Sequence, residues 1–232
     1  MKDFPKVIAH NQISLDGAIT GFPVDMGLYY KTVGSFQPEV YLVGSNTAKT
    51  GIEQFYPALP AEKADDFLPP ESQAGDSRPW WVIPDTKGLL KGLLHVLRSS
   101  GFARDIAILI SEHTPTDYVK YLQARHYRYA CVGEDFADFP RAFGWMAHEF
   151  RCKTIVCDSG GILNNILLQQ GLVDEISLLI TPALVGSPHS RLYRTLDLKN
   201  NPVRLTLLTA PEQKGDLVWL RYQVLPPDNT PD

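Results

Sequence analysis

Thr154-Ile155-Val156-Cys157-Asp158-Ser159-Gly160-Gly161-Ile162-Leu163-Asn164-Asn165-Ile166-Leu167-Leu168 is the stretch that decides the fold. An apolar, β-prone run meets an acidic residue, then Ser-Gly-Gly, then apolar residues at helical spacing. That order predicts a strand over 154–157 turning into a helix over 163–169. The first turn of a helix leaves its N–H groups without intrahelical partners, and the aligned peptide dipoles place partial positive charge there. Such a corner suits an anion, a dinucleotide phosphate among them. Gly160 and Gly161 carry no Cβ, so a ligand could approach the backbone closely. Ser-Gly-Gly is equally what any tight strand-to-helix turn contains, so other segments must carry the reading further.

Working outward, strand-like and helical runs alternate. A short β-prone segment over 6–13, apolar in alternation, exits at the turn Ser14-Leu15-Asp16-Gly17, and a helix is predicted over 23–33, opening on Pro23. A second strand over 39–43 stops at Gly44-Ser45, and 46–50 opens another helix. Residues 56–79 shift to Pro, Asp, Glu, Ala and Ser and read as a surface excursion. Beyond it, strands over 80–83, 106–110 and 127–132 are each followed by a helix, over 89–97, 116–124 and 139–150. That rhythm predicts an α/β fold with a mostly parallel central sheet and helices on both faces. The last third changes: 175–180, 203–208 and 217–224 are strands without intervening helices, the last two joined through Lys214-Gly215-Asp216. They predict an antiparallel C-terminal hairpin on the edge of the sheet. At 232 residues the chain is expected to be a single domain.

Composition narrows the function. Apolar residues make up 44% of the chain, enough for a core. A net charge of −4 without a Lys/Arg cluster argues against nucleic acid as a partner. The N-terminal Met1-Lys2-Asp3-Phe4-Pro5-Lys6 holds no signal-peptide core, and no apolar run approaches the roughly 18 residues needed to span a bilayer, so no membrane contact and a cytoplasmic location are expected. Cys131, Cys152 and Cys157 lack Cys-x-x-Cys spacing, and His148-Glu149 is not followed by Pro-Cys-x-x-Cys. Neither a disulfide framework nor a metal site is expected.

Three motifs fall at predicted strand ends, where ligands of open α/β sheets gather. They are Asn11-Gln12-Ile13-Ser14-Leu15-Asp16-Gly17, Val43-Gly44-Ser45-Asn46-Thr47, and Asp158 through Asn164 with its continuation Leu172-Val173-Asp174-Glu175-Ile176 and Thr181-Pro182-Ala183-Leu184-Val185-Gly186. Their order and spacing resemble the dihydrofolate-reductase-like fold, and most closely the reductase domain of riboflavin biosynthesis, which acts on a phosphoribosylamino-pyrimidine. The resemblance runs over 7–186, weakest in the Pro-rich excursion. It implies an NADPH-dependent reductase that transfers hydride to a ribosyl imine on a heterocyclic substrate. Gly44, Ser45 and Thr47 would approach the NADPH, Ser159, Gly160, Gly161, Ile162 and Leu163 would cradle its pyrophosphate, and Ile13 would lie beside the nicotinamide. Ser14 and Asp16 would face the substrate. Asp158 stands where the riboflavin reductases keep a glutamate that reaches substrate; it could equally be a helix N-cap, and the two roles are compatible. Asp25 falls where dihydrofolate reductases place the acid that pairs with the pterin ring, although a solvated first-turn aspartate fits the helix dipole too.

The departures from the family bear on the substrate. Ala18 replaces a basic residue, Lys49-Thr50-Gly51-Ile52-Glu53 replaces an acidic, Pro-containing, Arg-bearing stretch, and Ile162 replaces a hydroxyl residue. The first two help grip a ribose phosphate in the family. A dihydrofolate- or pterin-type reductase, and a nucleotide-binding protein without catalysis, are the rival readings. Leu167, Leu168, Leu172 and Ile176 supply apolar surface for either core packing or the homodimer that similar reductases form.

Overall fold

In the computed structural model, which describes residues 4–70, 75–199 and 202–226, every side chain from Val7 to Ser14 is buried. This is strand β1 (Lys6–Ser14). A strand covered on both faces must find partners for its polar side chains as well as its apolar ones. The chain divides into two compact units, Met1–Pro5 with Pro38–Ile155, and Lys6–Gln37 with Val156–Asp232.

In the first unit β2 (Val40–Leu42), β3 (Trp80–Pro84), β4 (Ile106–Ile110) and β5 (Arg128–Cys131) pair in parallel in the order β5-β4-β3-β2. Ile106-Ala107-Ile108-Leu109-Ile110 is buried throughout, as a continuous apolar run in a parallel sheet should be. The helices between the strands are α2 (Ser45–Phe55), α3 (Leu94–Arg98), α4 (Thr116–Ala124) and α5 (Phe139–Phe150). The last two have the bounds expected from periodicity. The helix expected over 89–97 is mostly turn instead. Gly88 and Gly92 take positive φ, and the Asp85 carboxylate accepts the amides of Leu89 and Leu90 at 2.8 and 2.9 Å, which holds the chain in tight turns until Leu94. The excursion over 56–79 contains a short 3-10 helix, Ala64–Phe67, and docks through Arg125, whose guanidinium donates to both Glu62 carboxylate oxygens and lies 4.4 Å from the Phe67 ring centroid. Its residues 71–74 lie outside the described residues.

The second unit is built on β1. Strand β6 (Thr154–Cys157) delivers its last two residues to this unit, followed by α6 (Gly161–Gln169) and β7 (Glu175–Thr181). Strands β8 (Leu205–Thr209), β9 (Glu212–Gln213) and β10 (Leu217–Val224) complete it. β1 and β7 are parallel, from Ile8 opposite Glu175 to Ser14 opposite Thr181. β10 runs antiparallel to β7, and β8 antiparallel to β10, which is the C-terminal hairpin expected from sequence. Helix α1 (Met26–Gly34) packs on the His10 side of β1, with the His10 and Tyr29 rings 4.8 Å apart. α6 meets the alternate side, through Asn164 and Asn11. Helices therefore cover both faces of this strand, because successive side chains point to opposite faces.

α1 starts at Met26 because Asp25 caps it, its carboxylate accepting the Leu28 amide at 2.9 Å. Leu167, Leu168 and Ile176 are buried within the chain and serve the core. Among the described residues no helix is long and apolar enough to cross a membrane, and no cluster of His, Cys, Asp and Glu could hold a metal ion.

Two neighbouring acids set the β1–β7 register. Asp174 accepts the Val7 amide at 2.9 Å, and Glu175, 1% exposed, accepts from Lys6 Nζ at 2.7 Å and Arg221 Nε at 2.5 Å. Burial alone would push the Glu175 carboxyl up, but the bonds from Arg221 and Lys6 outweigh it and hold it below its ordinary value. Its contribution to stability is therefore present above the unfolded-chain pKa and is lost as pH falls through the folded one. Glu175→Gln is expected to cost about 2–3 kcal/mol at neutral pH, below the usual loss for a broken buried pair because Lys6 and Arg221 keep partial solvent access. Urea unfolding at neutral pH and again well below pH 4 should show that difference shrink.

Candidate active site

β6 ends at Cys157, and the next three residues make the corner. Gly160 is the N-cap of α6; no side chain caps the helix, and no acidic residue lies in its first turn. Gly160 thus brings no side chain to the first-turn amides, which have no acceptor within the helix. Two buried amides shape this corner. Asn11 Nδ2 and Asn164 Nδ2 donate to the Ser159 carbonyl at 2.7 and 2.9 Å, and Asn164 Nδ2 also donates to Asn11 Oδ1 at 2.6 Å. Since a trans peptide sets C=O and N–H in opposite directions, drawing the Ser159 carbonyl toward the two asparagines turns the Gly160 N–H the other way. A Cβ on Gly161 would sit 2.5 Å from the Leu192 carbonyl oxygen, so glycine is required here by the chain's own backbone. The corner is not sealed: Gly160 and Gly161 are half-buried and Ile162 is 67% exposed.

Asp158 stands beside it, half-buried, with Tyr29 Oη donating to its Oδ1 at 2.5 Å. It does not cap α6. Burial pushes the Asp158 carboxyl up to about 6, against the opposing pull of the Tyr29 bond. Burial and the Asp158 charge hold the Tyr29 phenol well above its ordinary value, and burial likewise raises the Cys157 thiol. Behind Tyr29, His10 Nδ1 lies 2.8 Å from Ser177 Oγ, which accepts from Trp219 Nε1 at 2.8 Å. Burial lowers His10 to about 3, so the imidazole is neutral and brings no positive charge to the carboxylate.

The Ser-Leu-Asp-Gly exit of β1 forms a self-contained clamp. Ser14 Oγ donates to Asp16 Oδ1 at 2.6 Å and accepts the Ala18 amide at 3.0 Å. The Asp16 carboxylate also accepts the amides of Val185 and Gly186 and the Arg191 guanidinium, which donates a second time to the Asp16 carbonyl. These bonds, that from Ser14 foremost, hold Asp16 well below the ordinary carboxylate range. Ile13 is buried opposite Ile180 in β7, and Leu163 is buried in α6. Asp25 is exposed at the start of α1. Gly44, Ser45 and Thr47 belong to the first unit, where Gly44 is the N-cap of α2, again without a side-chain cap. The remaining candidates, Ile13, Ser14, Asp16, Asp25, Asp158, Ser159, Gly160, Gly161, Ile162 and Leu163, all lie in the second unit. Sequence reasoning gave no role to Tyr29, His10, Asn11, Asn164 or Arg191. The available signal was polar side chains, Asn11 and His10, inside an otherwise strand-like core run.

Ligands of open α/β sheets bind outside the carboxyl ends of the strands, and Asp158 and the start of α6 both follow the carboxyl end of β6. The family model of the RibD C-terminal domain matches residues 5–218, and the chain belongs to that family, an oxidoreductase family of riboflavin biosynthesis. A comparison with curated proteins found no match. Among solved structures, a pyrimidine reductase-like protein from Corynebacterium diphtheriae superposes with a TM-score of 0.67 at 17% identity, covering 96% of this chain and 92% of that one. Riboflavin biosynthesis reductase Rib7 of Saccharomyces cerevisiae gives 0.63 at 16%, covering 96% and 90%. RibD of Acinetobacter baumannii gives 0.65 at 13%, covering 97% of this chain and 59% of that one. The fold is theirs, the dihydrofolate-reductase-like α/β fold expected from the sequence.

The raised carboxyl has a cost that depends on pH. Between the unfolded value near 3.8 and the folded value near 6, the folded state binds more protons, so stability falls as pH rises through that window. Asp158→Asn, which keeps an acceptor for Tyr29, is expected to raise stability above pH 7 by on the order of 2–3 kcal/mol and to change little at pH 4. Thermal unfolding of both proteins across that range measures it.

Proposed function

We propose that the protein is an NADPH-dependent reductase of a (phospho)ribosylamino-pyrimidine, reducing a ribosyl imine to the ribityl chain. The observation that carries this reading is the glycine start of α6 at Gly160 and Gly161, made without an N-cap side chain, next to a half-buried carboxylate, within a RibD C-terminal domain. The corner fits a pyrophosphate: its helix has nine residues, nothing acidic in the first turn and an exposed Ile162 at the rim. Bound there, NADPH would supply hydride for a C=N bond. The chain's share is to orient and to bind. Ser159, Gly160, Gly161, Ile162 and Leu163 would hold the pyrophosphate, buried Ile13 would back the nicotinamide, and Asp158 would accept an N–H of the heterocycle. Ser14 and Asp16 would contribute by fixing the loop at the substrate side rather than through the Asp16 carboxylate, whose acceptors are taken up. Gly44, Ser45 and Thr47 enter through the resemblance alone.

Asp25, exposed and bonded to the Leu28 amide, gives the pterin-type alternative no added support. A cytoplasmic homodimer is part of the proposal, with Leu205, Leu207 and Leu208 exposed on edge strand β8 as the apolar surface for it.

Calorimetry with NADPH should give a saturable isotherm, and 5-amino-6-(5-phosphoribosylamino)uracil freshly prepared should then deplete NADPH absorbance. Binding without oxidation of a pyrimidine or pterin panel marks a nucleotide-binding protein that does not catalyse; no binding of either pyridine coenzyme removes the proposal. Ile162→Thr, which puts a hydroxyl donor at the rim, is expected to tighten NADPH by about 5- to 10-fold, the net worth of one added hydrogen bond.

A further inference from the structure

Among the described residues the Asp158 carboxylate has one hydrogen-bond donor, Tyr29. Tyr29 takes Oδ1, and no bond is made to Oδ2 among the described residues. The carboxylate lies at the end of β6 and the phenol comes from α1, so this single bond determines which way the carboxylate plane faces. Tyr29 is itself buried and cannot swing away: its ring packs 4.8 Å from His10 and 5.5 Å from Tyr30. His10 is in turn fixed through Ser177 to Trp219. A rigid, aromatic-backed donor thus reaches one oxygen of a carboxylate whose other oxygen is left for something else.

Tyr30 on α1, the Cys157 thiol on β6, and neutral His10 on β1 surround Tyr29, and Tyr29 is the group that acts on Asp158. None of these is a cation. A carboxylate withdrawn from water without a cation ionises only as far as hydrogen bonds to its charged form allow.

We propose that Tyr29 is a positioning residue for the site: its phenol, by donating to Oδ1, holds the Asp158 carboxylate in place and aims Oδ2 at an N–H donor on the heterocyclic ligand. The ligand half of this statement rests on the reductase reading; the Tyr29–Asp158 half does not. Binding of an N–H heterocycle at Asp158 then weakens as pH falls through about 6, because the protonated carboxyl loses acceptor strength, while nucleotide binding at the backbone amides of the corner follows no such titration.

The test is a titration of Asp158 in aspartate labelled with carbon-13 at the carboxyl, the resonance assigned by its loss in Asp158→Asn. In the wild-type protein the midpoint should lie near 6. Tyr29→Phe keeps the ring against His10 and removes only the donor, and its midpoint should rise by about one to two pH units. Affinity for the probe 5,6-diaminouracil should then drop by about 2- to 10-fold at neutral pH and return at alkaline pH, with NADPH affinity unchanged. Replacing tyrosine by 3-fluorotyrosine, a stronger donor of the same shape, should move the midpoint down, which keeps the test available if Tyr29→Phe folds poorly. An unmoved midpoint in the folded variant, or an unmoved or raised one in the fluorinated protein, overturns the role of Tyr29. A shifted midpoint with no pH-dependent diaminouracil binding overturns the assignment of Oδ2 to the heterocycle. Failure of NADPH to bind the wild-type protein would count against the reductase reading alone.

Discussion

Burial of β1 on both faces is the constraint from which the second unit follows. An apolar strand could slide within its sheet and still satisfy its contacts, but β1 carries His10, Asn11, Gln12 and Ser14 into the interior. Each must find a partner or leave a buried polar group unpaired, a loss of about 1–3 kcal/mol apiece. The partners fix the neighbours. His10 meets Ser177 of β7, Gln12 meets Thr181 of β7, and Asn11 meets Ser159 and Asn164 at the start of α6. A one-residue slip of β1 would turn every one of these side chains to the wrong face. Asp174 and Glu175 reinforce the same register from the other end of the strand.

That register places two different chemistries on either side of one peptide. On the α6 side, the asparagines hold the Ser159 carbonyl and set the orientation of the amide that follows it. On the α1 side, Tyr29 holds the Asp158 carboxylate. Consecutive residues after β6 therefore present an acceptor for N–H groups and, one peptide later, a dipole that favours anions. An anion-binding helix start and a carboxylate would repel a common ligand if both acted on one group. They fit a ligand whose negative part and whose N–H donors are separate.

How much of this was legible in the sequence depends on which interaction determines each element. Helices α4 and α5 and the C-terminal hairpin follow from hydrophobic period and turn residues, which are local, and their expected positions hold. The helix expected over 89–97 failed because Leu89 and Leu90 have helical spacing, yet their amides are taken by Asp85, and Gly88 and Gly92 sit at positive φ. Apolar spacing counts side chains; it does not register a competing acceptor four residues upstream. The Ser-Gly-Gly corner was readable as a strand-to-helix turn, but the reason for Gly161 was not, since Leu192 comes from 31 positions further along the chain. Tyr29 was invisible for the same reason: a tyrosine in a helix reads as core, and only the fold brings it to Asp158, a contact 129 residues apart in sequence.

The electrostatics of the corner are consistent with a site that relies on backbone and not on side-chain charge. Arg191, whose carbonyl lies against Gly161, commits its guanidinium to Asp16. Had a cation instead faced the corner, Asp158 would be held below its ordinary value, as Asp16 is; its carboxyl is raised, with burial the largest influence and Tyr29 the sole opposing one. Amide dipoles act over about one helical turn and bind an anion only when it is brought close. The backbone at the corner is held by Asn11 of β1, and the Asp158 carboxylate by Tyr29, whose ring packs on His10 of the same strand.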